Sequence, residues 1–158
     1  MRRKDKEITT VKDKLAIVEK CKVCRVGLCD NNQPYVVPLN YGYSFQDSKL
    51  TLYFHSAKDG KKTDMINNNH KACFEIDCDT KLIEGETACR YNYEFKSIIG
   101  FGEIQMLETA EEKKEGLNRL MKHQTGKDSE FTFEDREVEK VLVYKMEVTE
   151  FTGKIKTE

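Results

Sequence analysis

What this 158-residue sequence lacks narrows its class before any motif is considered. No stretch approaches the roughly 20 apolar residues of a membrane span. The basic start MRRKDKEITT leads into no apolar segment, so a secretory signal is not expected either. There is no surplus of one charge. The 27 basic and 28 acidic residues give a formal net charge of −1. A general nucleic-acid binder would show a basic excess, although a local basic pocket stays open. No internal repeat occurs, and nothing resembles a dinucleotide-binding fingerprint. Apolar residues make up only 38% of the chain, which suits a small domain with much surface or one that completes its core in a dimer. The expectation is a single domain over residues 1–158, cytoplasmic, with no membrane or nucleic-acid partner.

The six cysteines, Cys21, Cys24, Cys29, Cys73, Cys78 and Cys89, supply no framework. Without an export signal a disulfide scaffold is not expected in a chain of this length. Cys21 and Cys24 form a C-x-x-C, but zinc needs a second pair, and Cys73 and Cys78 are too far apart to be one. A redox pair would open a helix, whereas this one falls where a helix gives way to a strand. The cysteines are expected as small, mostly buried apolar residues, with Cys24 and Cys29 packing the core. The spacing of His55, His70 and His123 suggests no metal site, and His70 and His123 are expected on the surface near helix ends.

Periodicity gives about six strands and three or four helices. Thr9 or Thr10 can cap a helix over 11–20 with Val11, Leu15 and Val18 on one face. A strand at 22–29 precedes the turn formers DNNQP, and a second strand at 35–43 is interrupted by Pro38, which points to an edge or a bulge. A turn at FQDSK leads to a third strand at 50–55. A short helix follows over 58–68. In the strand 71–79, Ala72, Phe74, Ile76 and Cys78 share a face. Residues 80–90 are a loop or part of a ribbon, and 93–108 is a long strand broken by Gly100 and Gly102. A helix begins after Thr109 with Leu117, Leu120 and Met121 inward, and stops near Gly126. EDREVEK is a helical turn, and 141–154 is a last strand. Strands joined by short turns, with helices as separate excursions, favour a mainly β fold with flanking α: an antiparallel barrel rather than a doubly wound sheet.

Three stretches carry candidate chemistry. In FHSAKDGKKTDMINNNH (54–70) a strand ends at His55 and Ser56, turns through Gly60 and enters a helix with Lys61 and Lys62 at its start. A helix start presents free N–H groups and partial positive charge to an anion. Two cations there oppose the helix dipole unless an anion compensates; the alternative is a solvated turn. In VVPLNYGY, Asn40, Tyr41 and Tyr43 could bound a flat aromatic ligand, or be ordinary strand aromatics. In KSIIGFG, two glycines beside Ser97 mean barrel curvature, or a place where something approaches the backbone closely.

Taken together and in this order, these stretches resemble the pyridoxamine 5′-phosphate oxidase-like superfamily of flavin-binding split barrels, and within it the nitroimidazole-resistance (Nim) branch. The likeness runs nearly end to end, through MRRKDKEIT, VCRVGL, PYVVPLNYGY, LYFHSAKDGKKTDMI, CFEID, EFKSIIGFGEI, LMKHQTGK and MEVTEFTGK. It implies an antiparallel split β-barrel homodimer with FMN between the subunits. It makes Lys61 and Lys62 the basic pair on the flavin phosphate, with His55, Ser56 and Ala57 at the strand end near the ribityl chain and flavin. Pro38, Leu39 and Asn40 become the backbone strip along the isoalloxazine edge. Ser97 reaches the cofactor from the later strand, in its own or the partner subunit. The implied activity is FMN-dependent reduction of nitroaromatic compounds such as 5-nitroimidazoles, with His55 as a catalytic candidate; a flavin- or haem-binding module without turnover is the alternative. The ending TGKIKTE has no counterpart of the arginine- and proline-containing segment with which the superfamily's namesake oxidase grips its vitamin substrate, so that activity is not expected.

Overall fold

The structure is a computed structural model that describes residues 3–157. Eight strands form one antiparallel sheet: β1 (Glu7–Ile8), β2 (Val23–Asp30), β3 (Gln33–Asn40), β4 (Gly42–Gln46), β5 (Lys49–Ser56), β6 (Lys71–Ile83), β7 (Asn92–Met106) and β8 (Leu142–Lys156). The order is β3-β2-β6-β7-β8-β5-β4, with β1 added to β8. Four helices are interspersed: α1 (Val11–Lys20), α2 (Lys61–Asn68), α3 (Ala110–Thr125) and the single turn α4 (Asp135–Val138).

Two tight hairpins fix the register. Asn31 and Asn32 (φ 48° and 62°) join β2 to β3, and Asp47 and Ser48 (φ 50° and 62°) join β4 to β5. Both are two-residue loops in the left-handed region, whose twist matches the flanking strands. The sequence expectation of one strand over 35–43 is corrected here. The chain changes direction at Tyr41, and β3 and β4 end up at opposite ends of the hydrogen-bonded path. Pro38 sits inside a continuous β2–β3 ladder on this edge strand, where a missing N–H costs no central hydrogen bond. Residues 81–83, expected as loop or ribbon, continue β6 past a register shift between Cys78 and Lys81.

The sheet curls around its own apolar face. Cys24, Val26 and Leu28 of β2, Leu50, Leu52 and Phe54 of β5, Phe74 and Ile76 of β6, Ile98 and Ile104 of β7, and Tyr144 and Met146 of β8 belong to one core. No ladder joins β3 to β4 among the described residues, so the hydrogen-bonded path stays open. Gly100 and Gly102 have a structural explanation. A Cβ at Gly100 would strike the Phe74 ring, one at Gly102 the Glu147 carbonyl, and the register shifts between Phe101 and Gly102. The close approach there is made by the protein itself.

Thr10 caps α1, its side chain accepting from Asp13 N (3.1 Å). Ile17 and Val18 are buried, but Val11 lies exposed, so the expected inward face covers only the later turns. Thr109 and Glu112 form a reciprocal capping box at α3, which ends at Gly126 with φ 69°. The helix packs Gly116 and Leu120 against the sheet, close enough that a Cβ at Gly42 would collide with the Arg119–Leu120 backbone. No helix among the described residues is long and apolar enough to cross a membrane.

Candidate functional site

Strand alternation sets the end of β5. Phe54 faces the core, His55 faces outward and is exposed, and Ser56 turns inward, half-buried. Ala57 to Gly60 form an exposed turn. Gly60 is the N-cap of α2 with φ 134°, a conformation that L side chains rarely adopt. Its carbonyl accepts from Thr63 N (2.9 Å) and Asp64 N (3.2 Å). Glycine supplies no side-chain cap, so the N–H groups of Lys61 and Lys62 have no acceptor among the described residues. The space over Gly60 is open: a Cβ there would meet nothing within 4 Å.

The two lysines differ. Lys61 is exposed, and its ammonium lies 4.8 Å from the centroid of the Tyr35 ring, a cation–π contact that ties α2 to β3. Lys62 is half-buried, and burial pushes its pKa below the ordinary lysine value. Neither forms an ion pair among the described residues. His55 is held below its ordinary value, first by desolvation and then by the charge of Lys62. The result is an imidazole that stays neutral near pH 7 beside an uncompensated cation. Such a site can accept an anion at the helix start and exchange a proton at His55.

On the face of the sheet opposite the Tyr35 ring, which packs against the core beside Leu28, a cavity of about 400 Å³ is lined by Gly27, Cys29, Pro34, Val36 and Phe101. This wall is mostly apolar, and a flat ring system would lie against it.

His55, Ser56, Ala57, Lys61 and Lys62 therefore come together. The other candidates lie elsewhere on the same chain. Pro38, Leu39 and Asn40 form the far end of the β3 edge, and the Asn40 amide donates to Lys22 O (3.2 Å) and Gln124 Oε1 (3.1 Å). Ser97 faces outward on β7 between Asp77 and Lys154. It is five residues along β7 from Gly102, which is level with Ala72, Leu28 and Tyr35. At strand rise that is about 17 Å.

Several expectations are corrected. Tyr41 is buried with its hydroxyl donating to Val18 O (2.6 Å) and is an ordinary core aromatic, while Tyr43, whose hydroxyl bonds the Glu19 carboxylate, lines a surface cavity of about 370 Å³ that includes neither Lys61 nor Lys62. His123 is a core residue at 5% exposure, not a surface one. Its Nδ1 is 2.7 Å from Tyr41 O and its Nε2 3.0 Å from Glu19 O, which ties the ends of α1 and α3 to the start of β4. Of the cysteines only Cys24 is buried; Cys29 and Cys89 are exposed, and the other three are intermediate. Cys29 lies on the outer face rather than packing the core. The C-x-x-C thiols diverge: Cys21 Sγ donates to Asp77 O (3.4 Å) while Cys24 enters the core. Among the described residues no group of three or more His, Cys, Asp or Glu could hold a metal ion. Two tyrosines absent from the sequence-based site belong near it. Tyr35, under Lys61, looked like any strand residue, and the position of Tyr144 depends on a register that sequence does not give.

The family model for pyridoxamine 5′-phosphate oxidase matches residues 11–155. The chain belongs to this family. Within the pyridoxamine 5′-phosphate oxidase family it is similar to the crystal structure of a candidate 5-nitroimidazole antibiotic resistance protein from Bacteroides thetaiotaomicron. The identity is 32%, covering 94% of this chain and 86% of that one, with a TM-score of 0.81. Two more distant structures share the fold. The flavocytochrome Anf3 from Azotobacter vinelandii has a TM-score of 0.80 at 18% identity, covering 100% of this chain and 72% of that one. A FAD- and haem-binding protein from Mycobacterium smegmatis has a TM-score of 0.79 at 13% identity, covering 97% and 74%. No curated protein sequence matches at a significant level. The sheet with flanking helices is the expected fold of the pyridoxamine 5′-phosphate oxidase family.

Proposed function

We propose that this protein binds FMN at the start of α2 and, as a homodimer, is an oxidoreductase that reduces nitroaromatic compounds such as 5-nitroimidazoles. The observation that carries the reading is the bare N-terminus of α2. Two free N–H groups, the Lys61 and Lys62 ammonium groups and open space over Gly60 suit a phosphate monoester. The apolar wall of Gly27, Val36 and Phe101 on the outward face of the sheet suits the flat part of a flavin. The 32%-identical relative described in terms of 5-nitroimidazole resistance supports the substrate class. When bound, FMN supplies the electron-carrying chemistry. The chain's own part is to neutralise the phosphate with Lys61 and Lys62, to orient the ribityl chain past His55, Ser56 and Ala57, and to hold a proton-exchanging imidazole at His55.

The dimer is supported by the outward face of the sheet. Val36 (65% exposed), Ile99 (48%) and Phe101 (50%) stand on adjacent rungs, with Gly27 and Cys73 between Val36 and Phe101. A contiguous exposed apolar face of this kind marks an interaction surface. Within this reading Pro38, Leu39 and Asn40 lie along the flavin edge. The separation of Ser97 from Lys62 fits a contact made across the interface by Ser97 of the partner subunit. Six free cysteines suit a reducing, cytoplasmic setting.

The test is the visible spectrum of the purified protein, followed by FMN titration and turnover of a 5-nitroimidazole with a chemical reductant. Flavin absorption and turnover are the expected results. A colourless protein that takes up no FMN would refute the reading. A second reading, a flavin- or haem-binding module without turnover, is favoured by the neutral, exposed His55 imidazole and by the descriptions of the two distant structures. A Soret band, or bound flavin without turnover, would select it.

A further inference from the structure

Cys21 and Cys78 lie far apart in sequence and meet at the end of α1. Cys21 is the C-cap of that helix, and its Sγ donates at 3.4 Å to Asp77 O, the carbonyl immediately before Cys78. Cys78 follows the inward alternation of Phe74 and Ile76 on β6, and both cysteines pack against the same core. The Cys21 thiol is also within hydrogen-bonding reach of the Cys78 sulfur. Neither residue is closed off from solvent. Each is half-buried, and Cys78 lines a cavity of about 420 Å³ with Ile17, Lys20, Asp79 and Lys96. Asp79 holds both lysines at this wall, Lys96 at 3.1 Å. Burial raises both thiols, Cys21 up to about 12. At Cys78 the hydrogen bond from Cys21 and the charges of Lys20 and Lys96 oppose burial and the charge of Asp79, leaving it the more readily ionised of the two.

We propose that Cys21 and Cys78 are a modification site: a dithiol that a hydroperoxide converts into an intramolecular disulfide, strapping the end of α1 to β6. The inference goes beyond the flavin reading and does not rest on it. The Cys78 thiolate attacks one oxygen of hydrogen peroxide and the O–O bond breaks. The departing hydroxide takes up the proton that Cys78 released and leaves as water, with a sulfenic acid on Cys78. The Cys21 sulfur then displaces the hydroxyl of that acid. The S–S bond forms, the S–O bond breaks, and the Cys21 proton leaves with the hydroxyl as a second water. Two thiols lose two electrons, and one peroxide is reduced to two waters. The second step is intramolecular, so the contact between the sulfurs acts as a high local thiol concentration and offsets the raised pKa of Cys21. The loop it closes contains β2 to β5 and α2, and closing it removes conformations from the unfolded chain.

The experiment uses the full-length protein carrying Cys29→Ser and Cys89→Ser, which removes the two exposed thiols and with them links between molecules. It is treated with hydrogen peroxide at about pH 8 and followed by thiol titration, peptide mass spectrometry, and melting temperature with and without dithiothreitol. The expected result is loss of two of the four remaining thiols and a Cys21–Cys78 cross-linked peptide lighter by two hydrogens than its separate parts. The melting temperature should rise by roughly 5–10 °C, reversibly with dithiothreitol. In the same background Cys21→Ser should leave a sulfenic acid on Cys78 that dimedone labels, and Cys78→Ser should leave Cys21 unlabelled. Four intact thiols under conditions that oxidise the exposed Cys89 of wild type would overturn the inference. So would a disulfide between any other pair, or a cross-link that leaves the melting temperature unchanged.

Discussion

Lys62 makes an unusual stability prediction, because its charge is a liability until an anion arrives. It is a half-buried cation at the positive end of α2 with no ion-pair partner among the described residues, and burial pushes its pKa down. A cation at a helix N-terminus costs about 0.3–1 kcal/mol. Desolvation adds to this, discounted because the ammonium is still partly solvated. Lys62→Gln keeps most of the stem and should therefore stabilise the ligand-free protein by about 0.5–1 kcal/mol, or about 1–4 °C in melting temperature for a chain of this size. The same change removes a charge-assisted hydrogen bond to phosphate, about 1.5–3 kcal/mol, so FMN should bind roughly 10- to 150-fold more weakly. At FMN near 100 times the wild-type Kd, wild type gains about 2.7 kcal/mol from binding. A variant weakened about 30-fold gains only about 0.9 kcal/mol. The order of stabilities must then reverse: variant above wild type without FMN, and below it with FMN. Thermal melts followed by far-ultraviolet circular dichroism at both FMN levels read this directly. A variant that melts lower without ligand, or an order that does not reverse, would refute the placement of the anion at Lys62.

Three further outcomes follow from the same geometry. The folded pKa of His55 is depressed below 6.5, so its contribution to ligand-free stability is full above 6.5 and is lost as pH falls through the depressed value. A phosphate beside the ring favours the imidazolium, so the ratio of FMN affinities, wild type over His55→Gln, should rise from pH 7 to pH 6. Protonation of the phosphate cancels in that ratio, and titrations in which it stayed flat would remove His55 from the site. His123→Ala opens a cavity and removes the ring's hydrogen bonding, although Tyr41 O keeps Gln124 Nε2 and Glu19 O keeps Lys22 Nζ, and should lower stability in urea unfolding by about 2–3 kcal/mol; a loss below about 0.5 kcal/mol would show that the ring contributes neither packing nor hydrogen bonding. Phe101→Asp places a charge on the outward apolar face and should yield a monomer in light scattering with weakened FMN binding, whereas an intact dimer would move the interface elsewhere.

The hairpins, the α3 cap and the strict alternation of 71–79 were legible because each depends on residues a few positions apart. Asn31–Asn32 carry the left-handed turn between them, and Thr109 and Glu112 cap each other. The break at Tyr41 was not legible. A strand-forming sequence continues through it, and the distant Val18 carbonyl, His123 ring and Gln124 amide hold Tyr41 in place. His123 failed for the same reason: its ring nitrogens face two carbonyls far away in sequence, and no local pattern records them. At the site, the strand end, the glycine and the lysines lie within nine positions and could be seen. Tyr35 and Tyr144 reach the same place through strand register, which sequence alone does not fix.

The contrast among the helices bears on why the site lies where it does. Of the three helices with eight or more residues, two are capped by threonine side chains, Thr10 on α1 and Thr109 on α3. Each such cap contributes about 0.5–2 kcal/mol. At α2 the cap position holds Gly60, and the first two helical residues are lysines. An aspartate or serine there would satisfy the free N–H groups from within, while its side chain competed with any incoming anion and its backbone resisted a φ of 134°. The chain therefore forgoes a side-chain cap at α2, where two lysines precede Asp64 in the first turn, whereas α1 keeps its Thr10 cap over a comparable first turn of Lys12, Asp13 and Lys14. Both concessions are local, both lie at the end of β5, and one bound phosphate would compensate both. A solvated turn would explain the lysines or the glycine separately, but it gives no reason for a cation that is half-buried and unpaired beside them.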